Sequence, residues 1–267
     1  MKTRRRANPS APDSPAALAQ ACHPSHCDRV KSVRPYLIWF AVAVLLALAA
    51  VYTMQWLRKH PEHNPAARFE LAQPQGWATQ RKLMGLAGDA DACFAAFDRA
   101  GAGYLRRPPI GQGGCRADQR MILTGNKLVP TMAPAEVAPS CAVTAAMVLW
   151  HRDVVAPLTR KYFGQRVARI ENLGSYNCRN IRGGTRLSQH STANAIDVSA
   201  FVLADGTRVS VVGDWSGGGA KAAFLREVRD GACDLFSTTL SPDFNAAHAD
   251  HFHLDLTARK SGWTTCR

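Results

Sequence analysis

The segment from Tyr36 to Leu57 constrains the architecture of this chain more than any other. It reads YLIWFAVAVLLALAAVYTMQWL and contains no charged residue. It is long enough to cross the hydrocarbon core of a bilayer as a helix. Aromatic residues stand towards both of its ends, where aromatic belts form at membrane interfaces. The sequence therefore predicts a transmembrane signal anchor over residues 36–57.

Basic residues are concentrated before this segment. Residues 1–35 carry seven Lys and Arg against two Asp, whereas only Arg58 and Lys59 follow directly. The positive-inside rule then places the N-terminus in the cytoplasm and the remainder outside, as a single-pass protein of the cytoplasmic (inner) membrane with a periplasmic C-terminal domain. The alternative is a cleaved signal peptide, but no small-residue cleavage site follows the apolar run.

Composition divides the rest of the chain. Residues 1–35 are rich in Pro, Ser and Ala and are expected to be a disordered cytoplasmic tail. Residues 58–85 are predicted to be a linker, and residues 86–267 to form one domain. The net charge of +13 suits nucleic acid, anionic lipid or an anionic wall polymer. Nucleic acid is the weakest of these partners, because the C-terminal part has no basic run interleaved with aromatics.

The cysteines indicate an oxidising compartment. Six lie beyond the anchor without a CxxC pair: Cys93, Cys115, Cys141, Cys178, Cys233 and Cys266. An even, dispersed set of this kind predicts three disulfides. Sequence alone leaves the pairing open. The first candidate is Cys233–Cys266, which flanks the last predicted strand, and the second is Cys93–Cys115, which closes a loop rich in Gly and Pro. Cys22 and Cys27 flank two histidines, a spacing that suits a metal or is incidental in a tail.

The pattern of apolar residues predicts alternating helices and strands. Residues 141–163 have apolar residues at helical spacing, and residues 219–237 are predicted to be a second helix. Strands are predicted to start at 167, over 195–202 and 207–212 as a hairpin, and over 252–256. This order favours an α+β fold with a small, mainly antiparallel sheet and flanking helices.

Two short motifs, residues 188–197 and residues 248–255, hold the side chains that are able to bind a metal or transfer a proton. In the second, His251, His253 and Asp255 are two residues apart on a predicted strand, so they project from one face. In the first, His190 precedes Asp197, and Asp197 begins an apolar strand where an unpaired carboxylate is costly. One carboxylate and two histidines make a three-ligand Zn²⁺ site with a fourth position open to water. The remaining histidine, His251, would then act as general base or hydrogen-bond donor. For the His-x-His pair alone, the plain alternative is two satisfied histidines on a polar sheet face.

The first motif resembles a known signature. Residues Ser188-x-His190-x-x-Ala193-x-Ala195-x-Asp197 resemble the SxHxxGxAxD signature of zinc peptidases that include D-Ala-D-Ala carboxypeptidases and a murein endopeptidase, whose HxH element is similar to His251-Phe-His253. The resemblance implies metal ligands His190, Asp197 and His253, with His251 catalytic. Ala193 departs from the signature, which has Gly at that position.

A closer resemblance covers residues 86–267. The stretches SYNCR, LSQHSTANAIDVSAF and PDFNAAHADHFHLDL are similar to the bacterial extensin-like C-terminal domain family. The related peptidases carry an arginine before the first ligand, near the scissile carbonyl. This implies a catalytic role for Arg179, with Arg182 as the competing choice and a salt bridge or solvated arginine as the plain alternative.

Together these resemblances imply a zinc metallopeptidase that hydrolyses amide bonds in peptidoglycan peptides. Three alternatives remain at this point. They are a non-catalytic wall-binding or structural module with a vestigial metal site, a zinc hydrolase of another envelope amide or ester, and a metal-free disulfide domain.

Overall fold

The computed structural model describes residues 24–125, 128–259 and 262–267, with side chains from residue 33 onward. The chain divides into two units, Met1–Lys59 and His60–Arg267.

The described part of the first unit is one helix, α1, over Pro24–Lys59. Its stretch Val33–Lys59 is long and apolar enough to cross a membrane, and its position near the N-terminus is also that of a signal sequence. The predicted apolar helix is therefore confirmed as a candidate span. The prediction of disorder over residues 1–35 is wrong for residues 24–35. These residues are helical, since α1 begins at Pro24 and not at the uncharged segment. Residues 1–23 lie outside the described residues, as do the side chains of both cysteines of the CHPSHC motif.

The second unit begins at His60, so most of the predicted linker 58–85 belongs to the folded unit. Phe69 and Leu71 are buried in the core. The Gln80 side chain donates hydrogen bonds to the carbonyls of Cys233 and Phe236 at 2.9 and 2.8 Å. The polar, Pro-containing composition suggested a linker, but a few apolar anchors are enough to attach this segment to the core.

The described residues of this unit form six α-helices: α2 Thr79–Leu86, α3 Ala90–Arg99, α4 Cys141–Trp150, α5 Ala156–Phe163, α6 Val211–Asp214 and α7 Gly219–Cys233. Helices α4 and α5 join through a π-helical turn over His151–Val155, so the predicted helix 141–163 is continuous. The Ser140 hydroxyl caps α4 by accepting a hydrogen bond from Val143 N at 3.3 Å.

Helix α4 is the centre of the core. Every residue in it is buried, and the Trp150 indole donates to the carbonyl of Val228 in α7 at 3.0 Å. The Trp150 ring also packs against Phe201, 5.8 Å between centroids. The stretch Cys141–Phe163 is apolar enough to span a membrane, but it is mostly buried inside this unit and is a core helix.

Nine strands form two sheets within the described residues: β1 Tyr104–Arg106, β2 Met121–Leu123, β3 Thr131–Ala133, β4 Val167–Gly174, β5 Ala195–Leu203, β6 Arg208–Ser210, β7 Thr238–Leu240, β8 Phe252–Asp255 and β9 Thr265–Cys266. Strands β1 and β2 pair with each other. The other seven form one sheet in the order β3-β4-β5-β8-β7-β9, with β6 also paired to β5.

The larger sheet is mixed, which corrects the prediction of a small, mainly antiparallel sheet. Pairs β3–β4 and β7–β9 run parallel, whereas β4–β5, β5–β6, β5–β8 and β7–β8 run antiparallel. The parallel edge strands are two or three residues long, too short to produce a sequence period. The coarser expectation of helices packed with a sheet is confirmed.

The pairing of β5 with β8 positions the candidate site. Asp197 lies opposite His253 and Ala195 lies opposite Asp255. Phe252 and Leu254, the alternate residues of β8, are fully buried in the core. The predicted division of this strand into an apolar face and a His/Asp face is therefore present.

Three disulfides cross-link the described residues: Cys93–Cys141, Cys115–Cys178 and Cys233–Cys266. The predicted pair Cys233–Cys266 is confirmed, and Cys93–Cys115 is wrong. Cys93 instead joins α3 to Cys141, the first residue of α4. This bond depends on how the two helices pack, whereas the predicted pair rested only on the closing of a local loop.

We expect the oxidised His60–Arg267 unit to contain no free thiol and to yield these three cross-linked peptide pairs. Removing Cys93–Cys141 by the double substitution to Ser should lower the free energy of unfolding by about 2–4 kcal/mol, because the unfolded chain gains freedom. Thiol titration after denaturation, peptide mapping and urea unfolding measure these outcomes. Free thiols in the denatured wild-type unit would contradict the pairing.

Candidate metal centre

His190, Asp197 and His253 meet at one point of the larger sheet. Asp197 and His253 are neighbours across β5 and β8. His190 lies in a short 3₁₀ turn, Gln189–Thr192, just before β5, where the Ser188 hydroxyl accepts a hydrogen bond from His190 N at 3.3 Å. The two predicted motifs, far apart in sequence, are thus brought together.

Three ligand-type atoms form a tight triangle here. His190 Nε2 lies 3.0 Å from His253 Nδ1 and 3.2 Å from Asp197 Oδ1, and His253 Nδ1 lies 3.0 Å from the same Oδ1. Ligands bound to one tetrahedral zinc ion at 2.0–2.2 Å stand about 3.3–3.6 Å apart. The observed spacing needs only a few tenths of an ångström of expansion to hold such an ion.

Outer hydrogen bonds fix the orientation of both rings. His190 Nδ1 lies 2.8 Å from the carbonyl of Ser175, which can only accept, so Nδ1 donates and Nε2 turns its lone pair inward. His253 Nε2 lies 3.0 Å from Asp255 Oδ2, which leaves Nδ1 to face the same space. A metal-binding histidine is usually held by such a carbonyl or carboxylate.

Charge in this cluster favours a cation at its centre. Burial raises the pKa of Asp197, but its hydrogen bonds with His190 and His253 outweigh burial and hold that pKa well below the ordinary range. Burial lowers the pKa of His253, but hydrogen bonds to Asp197 and Asp255 outweigh it and raise the pKa to about 9. Without a metal, a proton on His253 Nδ1 can occupy the space between His190 Nε2 and Asp197 Oδ1. With that proton removed, three acceptors face each other, and the donor set fits zinc.

His251 stands beside the triangle. Its Nε2 lies 3.6 Å from Asp197 Oδ1, and its Nδ1 lies 2.7 Å from Asp250 Oδ1. The Asp250 carboxylate accepts a hydrogen bond from His251 Nδ1, so His251 Nε2 carries a lone pair that can accept a proton next to the candidate ligands. The contact of His251 with Asp250 was not predicted from the sequence, although the adjacent position of Asp250 was the available signal.

His248 is a further neighbour of this group. Its ring centroid lies 5.2 Å from that of His251 and 5.9 Å from that of His253. Burial and the positive charges of neighbouring histidines lower its pKa to about 4, so it is neutral at physiological pH. The short spacing in His248-Ala-Asp-His251 was the signal for this contact.

Arg179 lies near His248. Its side chain is exposed, and its charge contributes to the low pKa of His248. Among the described residues its guanidinium has no hydrogen-bond or ion-pair partner, which argues against the salt-bridge alternative. Arg182 is exposed in the turn that follows Arg179.

An apolar cavity lies elsewhere in this unit. It has a volume of about 290 Å³ and is lined mainly by apolar residues of β2, β3 and α4, such as Met121, Leu123 and Met147. Its described lining includes none of the candidate ligands.

The fold and these side chains define a disulfide-linked domain of helices packed on a mixed sheet, with a candidate three-ligand metal centre on two paired strands. The chain belongs to the family described as extensin-like protein C-terminus, which matches residues 91–267. No curated protein and no solved structure matches the chain.

We expect zinc affinity to rise with pH. Below a pKa of about 9, His253 is protonated in the metal-free protein, so zinc must displace that proton. The association constant should therefore increase about tenfold per pH unit between pH 7 and 8.5 and level off above about pH 9. Chelator competition across this range, with calorimetry in two buffers of different ionisation enthalpy, measures both affinity and proton release. An affinity independent of pH would contradict a protonated His253.

Proposed function

We propose that the His60–Arg267 unit is a zinc-dependent hydrolase of amide bonds in peptidoglycan peptides. The observation that carries the proposal is the orientation of two imidazoles and one carboxylate towards one space. Outer hydrogen bonds from Ser175 and Asp255 hold that orientation. Such preorganisation is unnecessary for a polar sheet face and is required for a metal site.

Each residue has a defined task in this proposal. His190, Asp197 and His253 hold the ion, which when bound would lower the pKa of water and polarise the substrate carbonyl. His251 Nε2 accepts the proton of the attacking water and returns it to the leaving amine. Asp250 holds His251 Nδ1 and stabilises the imidazolium that forms, as a carboxylate does beside a catalytic histidine.

Arg179 supplies positive charge for the transition state. Amide hydrolysis places negative charge on the carbonyl oxygen, and preorganised cationic donors stabilise it. The guanidinium has no competing partner among the described residues, and its charge reaches His248 at the site.

The substrate and compartment follow from other features. The domain resembles zinc peptidases of the bacterial wall in its SxHxx(A)xAxD and HxH motifs. Its net positive charge suits an anionic polymer. Helix α1 would anchor the chain in the cytoplasmic membrane with the N-terminus inside, so that the disulfide-linked unit faces the periplasm.

A non-catalytic wall-binding module is the second candidate. The observation that favours it is the high pKa of His253. A protonated His253 would bridge Asp197 and Asp255, so the cluster could be satisfied without a metal.

Substitution of single residues separates these two functions. Changing His190, Asp197 or His253 to Ala should abolish stoichiometric zinc, because a three-ligand site has no spare ligand. His251→Ala should retain most of the zinc and lose about 10²–10⁴-fold of the hydrolytic rate. Metal content by mass spectrometry, beside release of peptides from purified sacculi, measures both effects.

His151→Gln is the matched control, because His151 lies in the core helix, where its ring contacts the carbonyl of Leu128. It should retain zinc and activity. If His251→Ala loses zinc as fully as His253→Ala, the assigned roles are wrong. If wild-type protein cannot be loaded with zinc, the non-catalytic candidate takes the place of the hydrolase.

Topology is tested separately. An alkaline phosphatase fused after Arg267 should be active, and a fluorescent protein that matures only in the cytosol should be dark at the same position. The reason is the excess of Lys and Arg before the apolar segment. The reverse pattern of the two fusions would place the domain in the cytoplasm and exclude a wall substrate.

A further inference from the structure

A small β-hairpin carries three arginines next to the metal centre. It spans residues 179–188, here called the arginine hairpin. Ile181 N donates to Arg186 O at 2.8 Å, Ser188 N donates to Arg179 O at 3.0 Å, and Asn180 forms a bridge with Leu187. The sequence between Tyr176 and Ser191 has three arginines and no acidic residue.

The base of the arginine hairpin is firmly attached. The Ser191 hydroxyl donates to the carbonyl of Arg179 at 3.0 Å, and Cys178 is joined to Cys115. Ser191 is also the residue directly after the candidate ligand His190. Any displacement of the hairpin base is therefore coupled to the metal centre.

The two faces of the hairpin have different surroundings. Side chains of paired residues share a face, so Asn180 and Leu187 lie on one side and Arg179 and Arg186 on the other. Leu187 packs against Gly114, where an added Cβ would lie 2.5 Å from the leucine. The face that carries Arg179 and Arg186 is shared with Ser188, whose hydroxyl bonds to His190 N. This second face also carries Arg179, whose charge contributes to the low pKa of His248 at the candidate metal centre.

Arg186 has no assigned partner. Its side chain is exposed, and among the described residues its guanidinium forms no ion pair or hydrogen bond. Arg179 and Arg186 are diagonal neighbours across the hairpin, about 7–8 Å apart at the backbone. Two cations on one face of the hairpin repel each other, and an anion bound at Arg186 would relieve that repulsion.

We infer that Arg186 binds a carboxylate of the substrate beside the metal centre, so that the site selects anionic peptides. The inference rests on the proposed function for the nature of the substrate. A guanidinium pairs with a carboxylate through two parallel hydrogen bonds, a geometry that Lys cannot reproduce. Arg186 is a specificity residue in this role, and Arg179 remains free to act on the reacting carbonyl.

Binding of matched peptides tests this inference without relying on turnover. The probe is a stem-type tetrapeptide with two free carboxylates, together with two derivatives in which one or the other carboxylate is an amide. Full-length protein in detergent should bind one amide derivative about 10–100-fold more weakly than the parent. Arg186→Gln should bind the parent as weakly as that derivative, and Arg186→Lys should recover only part of the affinity.

Two controls distinguish Arg186 from a remote arginine and from the metal ion itself. Arg160→Gln, on α5 and outside the hairpin, should behave as wild type. The preference for the parent peptide over the amide derivative should persist in zinc-free protein. If the carboxylate bound the zinc ion instead of Arg186, removal of zinc would abolish this preference. Equal binding of all three peptides by wild type, no binding of any of them, or an unchanged preference in Arg186→Gln would each overturn the inference. Absence of hydrolysis with the preference intact would refute only the proposed function.

Discussion

The antiparallel pairing of β5 with β8 is the constraint on which the rest of this structure depends. It places Asp197 opposite His253 and at the same time buries Phe252 and Leu254 in the core. A shift of one residue would turn every side chain of β8 to the opposite face, placing His253 and Asp255 in the apolar core and removing Phe252 and Leu254 from it. The register that stabilises the core is therefore the same register that brings the candidate ligands Asp197 and His253 together.

The polar cluster on this pairing is stable only as a complete set. Asp197, His190 and His253 are largely buried, and an isolated charge there would be costly. Asp255 and the carbonyl of Ser175 supply the outer contacts, and a proton or metal ion supplies the central charge. The low pKa of Asp197 and the high pKa of His253 are two consequences of that single arrangement. In the proposed zinc-bound form the ion would displace the proton of His253, so zinc occupancy would depend on pH.

The parts of the fold that could be predicted are those whose pattern is local. Alternation along β8 and the apolar run of β5 revealed both strands and the shared face of His251 and His253. The partners of Cys93 and Cys115 could not be predicted, because helix packing and the arginine hairpin bring Cys141 and Cys178 to them from distant positions. The attachment of residues 60–78 to the folded unit was missed for a different reason, since it depends on three buried apolar side chains, Phe69, Leu71 and Ala78, within a polar stretch.

Ala193 shows how a departure from the signature is tolerated. It follows the turn that carries His190, is fully buried and adopts a left-handed conformation with φ of 55°, which favours Gly. An L-residue costs about 1–2 kcal/mol in this conformation. The Ala193 carbonyl accepts hydrogen bonds from Ser140 N at 2.8 Å and from the Ser175 hydroxyl at 3.3 Å, which hold the strained residue in place. Ser175 also orients His190 through its own carbonyl, so the group that stabilises this turn is the group that aims the ligand. The left-handed turn is thus preserved without glycine, and with it the direction of the His190 lone pair.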